Sequence, residues 1–193
     1  MSTVIISLPP AGEPVSLTQA KAVCRVDQAY EDDLITGLIT AARLRIEQAL
    51  GLCLLNTGIT EWRDTWGPPV PADRPRPGLV LARGPLVSVT GVSIGDSQRS
   101  FRTLDPAYYA PLPGSWPSEV AATALAVVQP TAASDGLRID YVAGFGATTD
   151  LVPQSLKQAV LALVAWNYSH RDQAEAPLSA AEPWLTAWRR FRL

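Results

Sequence analysis

Histidine is almost missing from this 193-residue chain, with His170 the single one, and that alone removes several chemistries. A Ser-His-Asp arrangement would have to use His170, and no G-x-S-x-G turn accompanies it. A zinc site needs four nitrogen or sulfur ligands, which one histidine and two distant cysteines, Cys24 and Cys53, do not supply. The same two cysteines are too few for a disulfide framework and form no C-x-x-C pair, so they read as apolar thiols of a reducing compartment. A surplus of positive charge is also absent: 16 Lys and Arg stand against 18 Asp and Glu, a formal net charge of -2. A protein whose main task is gripping nucleic acid needs a basic surface to neutralise phosphates. No segment approaches the ~20 uninterrupted apolar residues of a membrane span. The opening MSTVIISLPPAGEP has no basic region, and its apolar stretch Val4 to Ile6 is broken by Pro9 and Pro10, so no secretory signal is expected there and assembly in the cytoplasm is. Gly144-Phe145-Gly146 lacks the lysine and the glycine spacing of either nucleotide fingerprint and reads as a turn.

What is present is apolar material, 47% of the residues, enough for a sizeable core with a smaller second layer. Ser16-Leu17-Thr18-Gln19 offers a capping box ahead of a short helix over 17–25. Asp27 precedes a stronger pattern in which Leu34, Ile35, Leu38, Ile39, Ala42, Ile46, Ala49 and Leu50 recur at spacings of three and four. That is one apolar stripe on a helix of five to six turns, with Glu31, Asp32 and Asp33 at its electropositive start and Gly51 at its end. The acidic triplet could hold a cation or act as a carboxylate pair, but adjacent helical residues do not face one another, which favours a solvated first turn.

From Leu54 the period changes. ITEWRDTW, LVLARGPLVSVTGVSI, SFRTL, TALAVVQ and LRIDYVAG read as short strands, with Val87, Val89 and Gly91 alternating against Ser88, Thr90 and Val92, and Leu137, Ile139 and Tyr141 against Arg138 and Asp140. Two proline-rich stretches, 67–78 and 111–117, read as irregular loops. Helical spacing returns after Pro153, which suits the first helical position. Leu156, Ala159, Val160, Leu163, Val164 and Asn167 form its inner face, and this helix over 153–171 is expected to pack on the second one. A small-residue stretch then leads to WLTAWRRFRL, where Trp184, Leu185, Trp188 and Phe191 share a face among Arg189, Arg190 and Arg192.

The expected fold is therefore α+β: a helical core from N- and C-terminal helices, an inserted antiparallel β region and an extended C-terminal tail. Its parts are a helical 1–53, a β-rich 54–146, a returning helix in 147–172 and a tail over 173–193. Tryptophan and arginine are enriched where interfaces are tightest, so that end reads as something offered to a partner.

Several blocks, in order, resemble one family. Glu13-Pro14-Val15-Ser16-Leu17, Ala20-Lys21 and Arg25-Val26-Asp27 lead to Glu31-Asp32-Asp33-Leu34-Ile35, Leu38-Ile39, Ala41-Ala42 and Glu47. Leu81-Ala82-Arg83-Gly84-Pro85 with Val89, the run Tyr141 to Gly146, Val152-Pro153, Leu156-Lys157-Gln158-Ala159 with Leu163, and Trp188 to Leu193 follow. Together they are similar to the head-tail adaptor (connector) proteins of tailed phages, prophages and gene transfer agents. The resemblance implies a structural, non-enzymatic subunit without cofactor, metal or membrane. Such subunits form a ring, typically of twelve copies, between the portal protein and a tail-side connector (a stopper or tail terminator), with DNA only passing through the channel. On that expectation the protein sits in the neck of a phage-like particle assembled in the bacterial cytoplasm. Portal contacts would come from Trp184, Leu185, Trp188, Arg189, Arg190, Phe191, Arg192 and Leu193. Contacts between copies would use Glu31, Asp32 or Asp33 against Arg43 or Arg45. Two other classes stay open. A small cytoplasmic hydrolase using an acidic pair would show a pocket with two convergent, perturbed carboxylates. A DNA-binding module using the arginine tail would lose affinity steeply with salt.

Overall fold

The computed structural model describes residues 2–67, 78–112, 117–123, 128–173 and 176–189. The fold is α+β, and the chain divides into two compact units, Met1–Pro9 with Asn56–Gly144 and Pro10–Leu55 with Phe145–Leu193. The first nine residues thus join the β unit rather than the helical 1–53 of the expectation.

In the helical unit, the capping box forms as its sequence dictates: Ser16 Oγ accepts from the Gln19 N–H at 3.1 Å and the Ser16 N–H donates to Gln19 Oε1 at 2.9 Å. It opens α1, Leu17–Cys24. A 3-10 turn, Ala29–Glu31, leads into α2, Asp32–Leu50, which ends on Gly51 at φ 67, a left-handed conformation that glycine adopts without a Cβ penalty. The inner face of α2 is Ile35, Ile39, Ala42, Ile46 and Leu50, whereas Leu34 and Ala49, expected in the same stripe, are exposed. Helix α3, Gln154–Ser169, buries Leu156, Ala159, Val160, Leu161, Leu163 and Val164, with Pro153 as its N-cap rather than its first helical residue. Asn167, expected on that inner face, is only half-buried. Helix α3 packs against α1, α2 and the C-terminal turns, so it is the centre of one apolar core. The turn into it is tight: a Cβ on Gly146 would lie 2.2 Å from Leu151 Cδ1, so only glycine fits.

In the β unit, a five-stranded antiparallel sheet has the order β1-β2-β8-β4-β5, and a three-stranded one the order β3-β7-β6. The strands are β1 Ser2–Leu8, β2 Thr57–Arg63, β3 Gly78–Val80, β4 Leu86–Gly95, β5 Phe101–Thr103, β6 Tyr109–Leu112, β7 Glu119–Ala122 and β8 Leu137–Ala143. Central β8 alternates as predicted, with Leu137, Ile139 and Tyr141 buried and Arg138 and Asp140 half-buried. The alternation expected in β4 does not hold. Register shifts between Leu86 and Ser88 and between Val89 and Gly91 change which side chains face inward, leaving Val87 51% exposed and Val92 buried. Strand β6 runs into the stretch read as a loop. Pro111 is tolerated there because β6 is the edge of its sheet. Residues 124–127 of the expected strand TALAVVQ, 113–116 of the second proline-rich stretch and 68–77 of the first lie outside the described residues.

Candidate functional site

The apolar, arginine-bearing end is built from short helical turns. Residues Leu178–Ala181 and Thr186–Trp188 are 3-10 turns flanking α4, Glu182–Leu185. The stretch expected to run as an extended tail is thus wound onto α3 over 178–188. Ala176, Ala181 and Leu185 enter the same core as α2 and α3, and Leu178, Ala180, Trp184 and Trp188 pack against it. Leu185 is 1% exposed, so its expected place as a portal anchor is corrected: it anchors the segment to its own chain. The helical spacing of Trp184, Leu185 and Trp188 that suggested a binding face is in part the spacing of self-docking.

Trp188 is tied to its own chain by two contacts. Its Nε1–H donates to Ser155 Oγ at 3.0 Å, and its ring meets Phe145 edge-on at 5.4 Å between centroids and 86° between planes. Trp184 and Trp188 nonetheless remain half-buried. Arg189 is exposed and pairs with Glu182. Arg190, Phe191, Arg192 and Leu193, the other expected portal contacts, lie outside the described residues.

The charges expected to link copies are mostly spent inside the chain. Arg43 is 7% exposed, and its guanidinium donates from Nε to Glu13 Oε2 at 2.7 Å and from Nη1 to Glu47 Oε2 at 3.0 Å. Burial works against its charge, but the two carboxylates outweigh that and hold it above the ordinary arginine value. Glu47 also accepts the Leu54 N–H at 2.8 Å, fixing the chain as it leaves α2. Glu31 accepts from the Tyr168 hydroxyl and from Arg171, the latter at 2.7 Å, tying the start of α2 to the end of α3. Those donors, the tyrosine first, hold its carboxyl below the usual carboxylate value. Asp32 pairs with Lys21 at 2.6 Å. The reading of Arg43 as a partner-facing charge is therefore corrected, because it is buried, while Glu31 and Asp32 each close a contact within the helical unit. Asp33 is exposed and Arg45 half-buried. Sequence reasoning could not anticipate this, since Glu13 and Tyr168 lie 30 and 137 residues from the groups they hold.

The requirement for a hydrolase, two convergent carboxylates in a pocket, is not met in either described concavity. One of about 300 Å³ is lined by Thr3, Trp62, Arg99, Phe101, Ser134 and Asp135; the other, about 310 Å³, contains Asp96 as its one acid. His170 stacks on Trp166 at 4.3 Å, its Nδ1 2.9 Å from the Trp166 carbonyl oxygen, as a helix-end residue. Cys24 and Cys53 form no disulfide, and burial followed by the Glu31 charge raises the Cys24 value, disfavouring the thiolate. Among the described residues no group of three or more His, Cys, Asp or Glu could hold a metal ion, and no helix is long and apolar enough to cross a membrane.

No protein-family model matches this chain, and no curated protein matches it. Solved structures do. A chain of "Virion of native gene transfer agent (GTA) particle" superposes with a TM-score of 0.80 at 22% identity, covering 99% of this chain and 97% of that one. A chain of "Neck of empty GTA particle computed with C6 symmetry" gives 0.80 at 20% identity, covering 100% and 97%. A chain of "Neck of native GTA particle computed with C12 symmetry" gives 0.71 at 24% identity, covering 100% and 97%. At these identities the likeness is one of fold, and it spans both units.

Proposed function

We propose that this chain is a structural subunit of the neck of a phage-like particle. In the finer reading it is a head-tail adaptor, a ring of copies between the portal and the tail-connecting protein that leaves a channel for DNA. The observation that carries the reading is the end-to-end match of fold with chains from gene transfer agent neck structures computed with sixfold and twelvefold symmetry. Rotational symmetry of that kind suits a chain repeated around an axis. A net charge of -2 suits a channel that lets DNA through without holding it.

In this reading the portal contact is made by the outer faces of Trp184 and Trp188, by Arg189 and by Arg190 to Leu193. Leu185 acts from beneath, holding the helical turns in place. Half-buried tryptophans on a docked base beside an arginine-rich end give apolar area together with donors for carboxylates and backbone carbonyls. The test separates the end from its base. A chain ending at Arg189 keeps Leu185 and Trp188 in the core, so it folds as the full chain does but loses affinity for purified portal at least about tenfold. Undiminished binding by this shortened, folded chain would remove the terminal residues from the portal contact.

A further inference from the structure

We infer that the outer face of α2 is where a second copy of this chain packs, an inference that rests on the ring proposed above. On the side of α2 turned away from the core, Leu34, Gly37, Ala41, Leu44 and Gln48 follow one another at helical spacing, and Tyr30 lies one turn ahead of them. All six are exposed, with Tyr30 at 78%, Leu34 at 42% and Leu44 at 45%. From Leu34 to Gln48 the stripe is about 21 Å long, and none of its residues is charged. The α2 core face is separately satisfied by Ile35, Ile39, Ala42, Ile46 and Leu50, so the chain's own packing does not account for this second apolar face.

Gly37 is an independent observation. A glycine in a helix interior weakens the helix relative to alanine and is kept where something approaches closely. Among the described residues nothing beyond the helix's own backbone does: a Cβ on Gly37 would meet no such atom within 4 Å. With Ala41 one turn on, it leaves a shallow saddle between Leu34 and Leu44 where another chain's surface can come near the α2 backbone. The occupant is a second copy because the stripe carries no cation for DNA or acidic peptides and because a ring makes each copy both donor and acceptor of one contact. A closed ring needs a heterologous interface, in which the α2 face of one copy meets a different face of the next.

Sedimentation of the full chain from micromolar to millimolar concentration tests this. The unaltered chain is expected to form species larger than one chain. Leu44→Glu should weaken that association at least about tenfold, with an unchanged melting temperature because residue 44 is exposed. Gly37→Leu should raise or maintain the melting temperature yet weaken association, since the added side chain fills the saddle. A general stickiness would instead be strengthened by it. Ile5→Glu, at an equally exposed apolar position in β1, is the control and should leave association unchanged. Absence of self-association, indifference to Leu44→Glu, strengthening by Gly37→Leu, or an equal loss with Ile5→Glu would each overturn the α2 interface. Rings that persist in Leu44→Glu would overturn it while leaving the ring reading intact.

Discussion

In the helical unit the ions flank an apolar core, whereas in the β unit a fully enclosed carboxylate ties strands together. Arg43 and Glu47, both buried, and the less enclosed Glu31 and Lys21 close contacts beside a cluster in which Ile35, Ile46, Leu156 and Leu163 are fully buried. Glu61 of β2, by contrast, is 0% exposed. One of its oxygens accepts from the Tyr141 hydroxyl at 2.9 Å and from the Ala82 N–H at 3.0 Å, and the other from Arg63 Nε at 2.7 Å. Arg63 then donates to the Val80 carbonyl at 3.0 Å. One side chain thus joins β2 and β8 of the larger sheet to the end of β3 in the smaller one. Ser118 assists, its carbonyl accepting the Leu81 N–H at 2.8 Å and its Oγ the Leu86 N–H at 3.0 Å. Apolar packing tolerates small changes of shape, while a buried hydrogen-bonded ion is costly once half of it is removed.

The sharpest way to break this contrast is Glu61→Ala, which removes the acceptor shared by Arg63 Nε, the Tyr141 hydroxyl and the Ala82 N–H. The expected loss is about 3–5 kcal/mol by denaturant unfolding, and Glu61→Gln, which keeps an acceptor, should cost clearly less. Equal and small losses would mean that the β unit is held by packing alone. Next in size is Leu185→Ala, removing a fully buried side chain between the C-terminal turns and α3, with an expected loss of about 2–4 kcal/mol. It should also raise proteolytic cleavage after residue 176; a loss under about 1 kcal/mol would show that the segment is not part of the core.

The smallest effect is a pH dependence in the helical unit. Glu31 has a folded value below its unfolded one, so its contribution is complete above the ordinary carboxylate range and disappears as pH falls through the folded value. Tyr168→Phe removes the principal donor and should flatten that acid-side loss in a series of melts. An unchanged profile would take Glu31 out of the linkage.

The same contrast explains what could be read in advance. Helical periodicity and capping are local: Ser16 with Gln19, the α2 stripe, Gly51 and the α3 face all depend on residues a few positions apart. The β unit depends on distant pairing. Strand β1 escaped notice because STVIISL carries no turn or alternation of its own and becomes a strand by lying beside β2, with Ser2 opposite Arg63. Glu61 gave no sign of burial because Tyr141 is 80 residues away. The C-terminal segment was half legible, its face visible in Trp184, Leu185 and Trp188, but whether that face turned inward depended on Ala176 and Ala181 closing against α3.

Electron microscopy of the purified chain mixed with its portal tests the neck reading most directly. The account predicts a ring of this chain stacked coaxially on one end of the portal, with an open central channel. Portal particles that stay bare at saturating chain would contradict it.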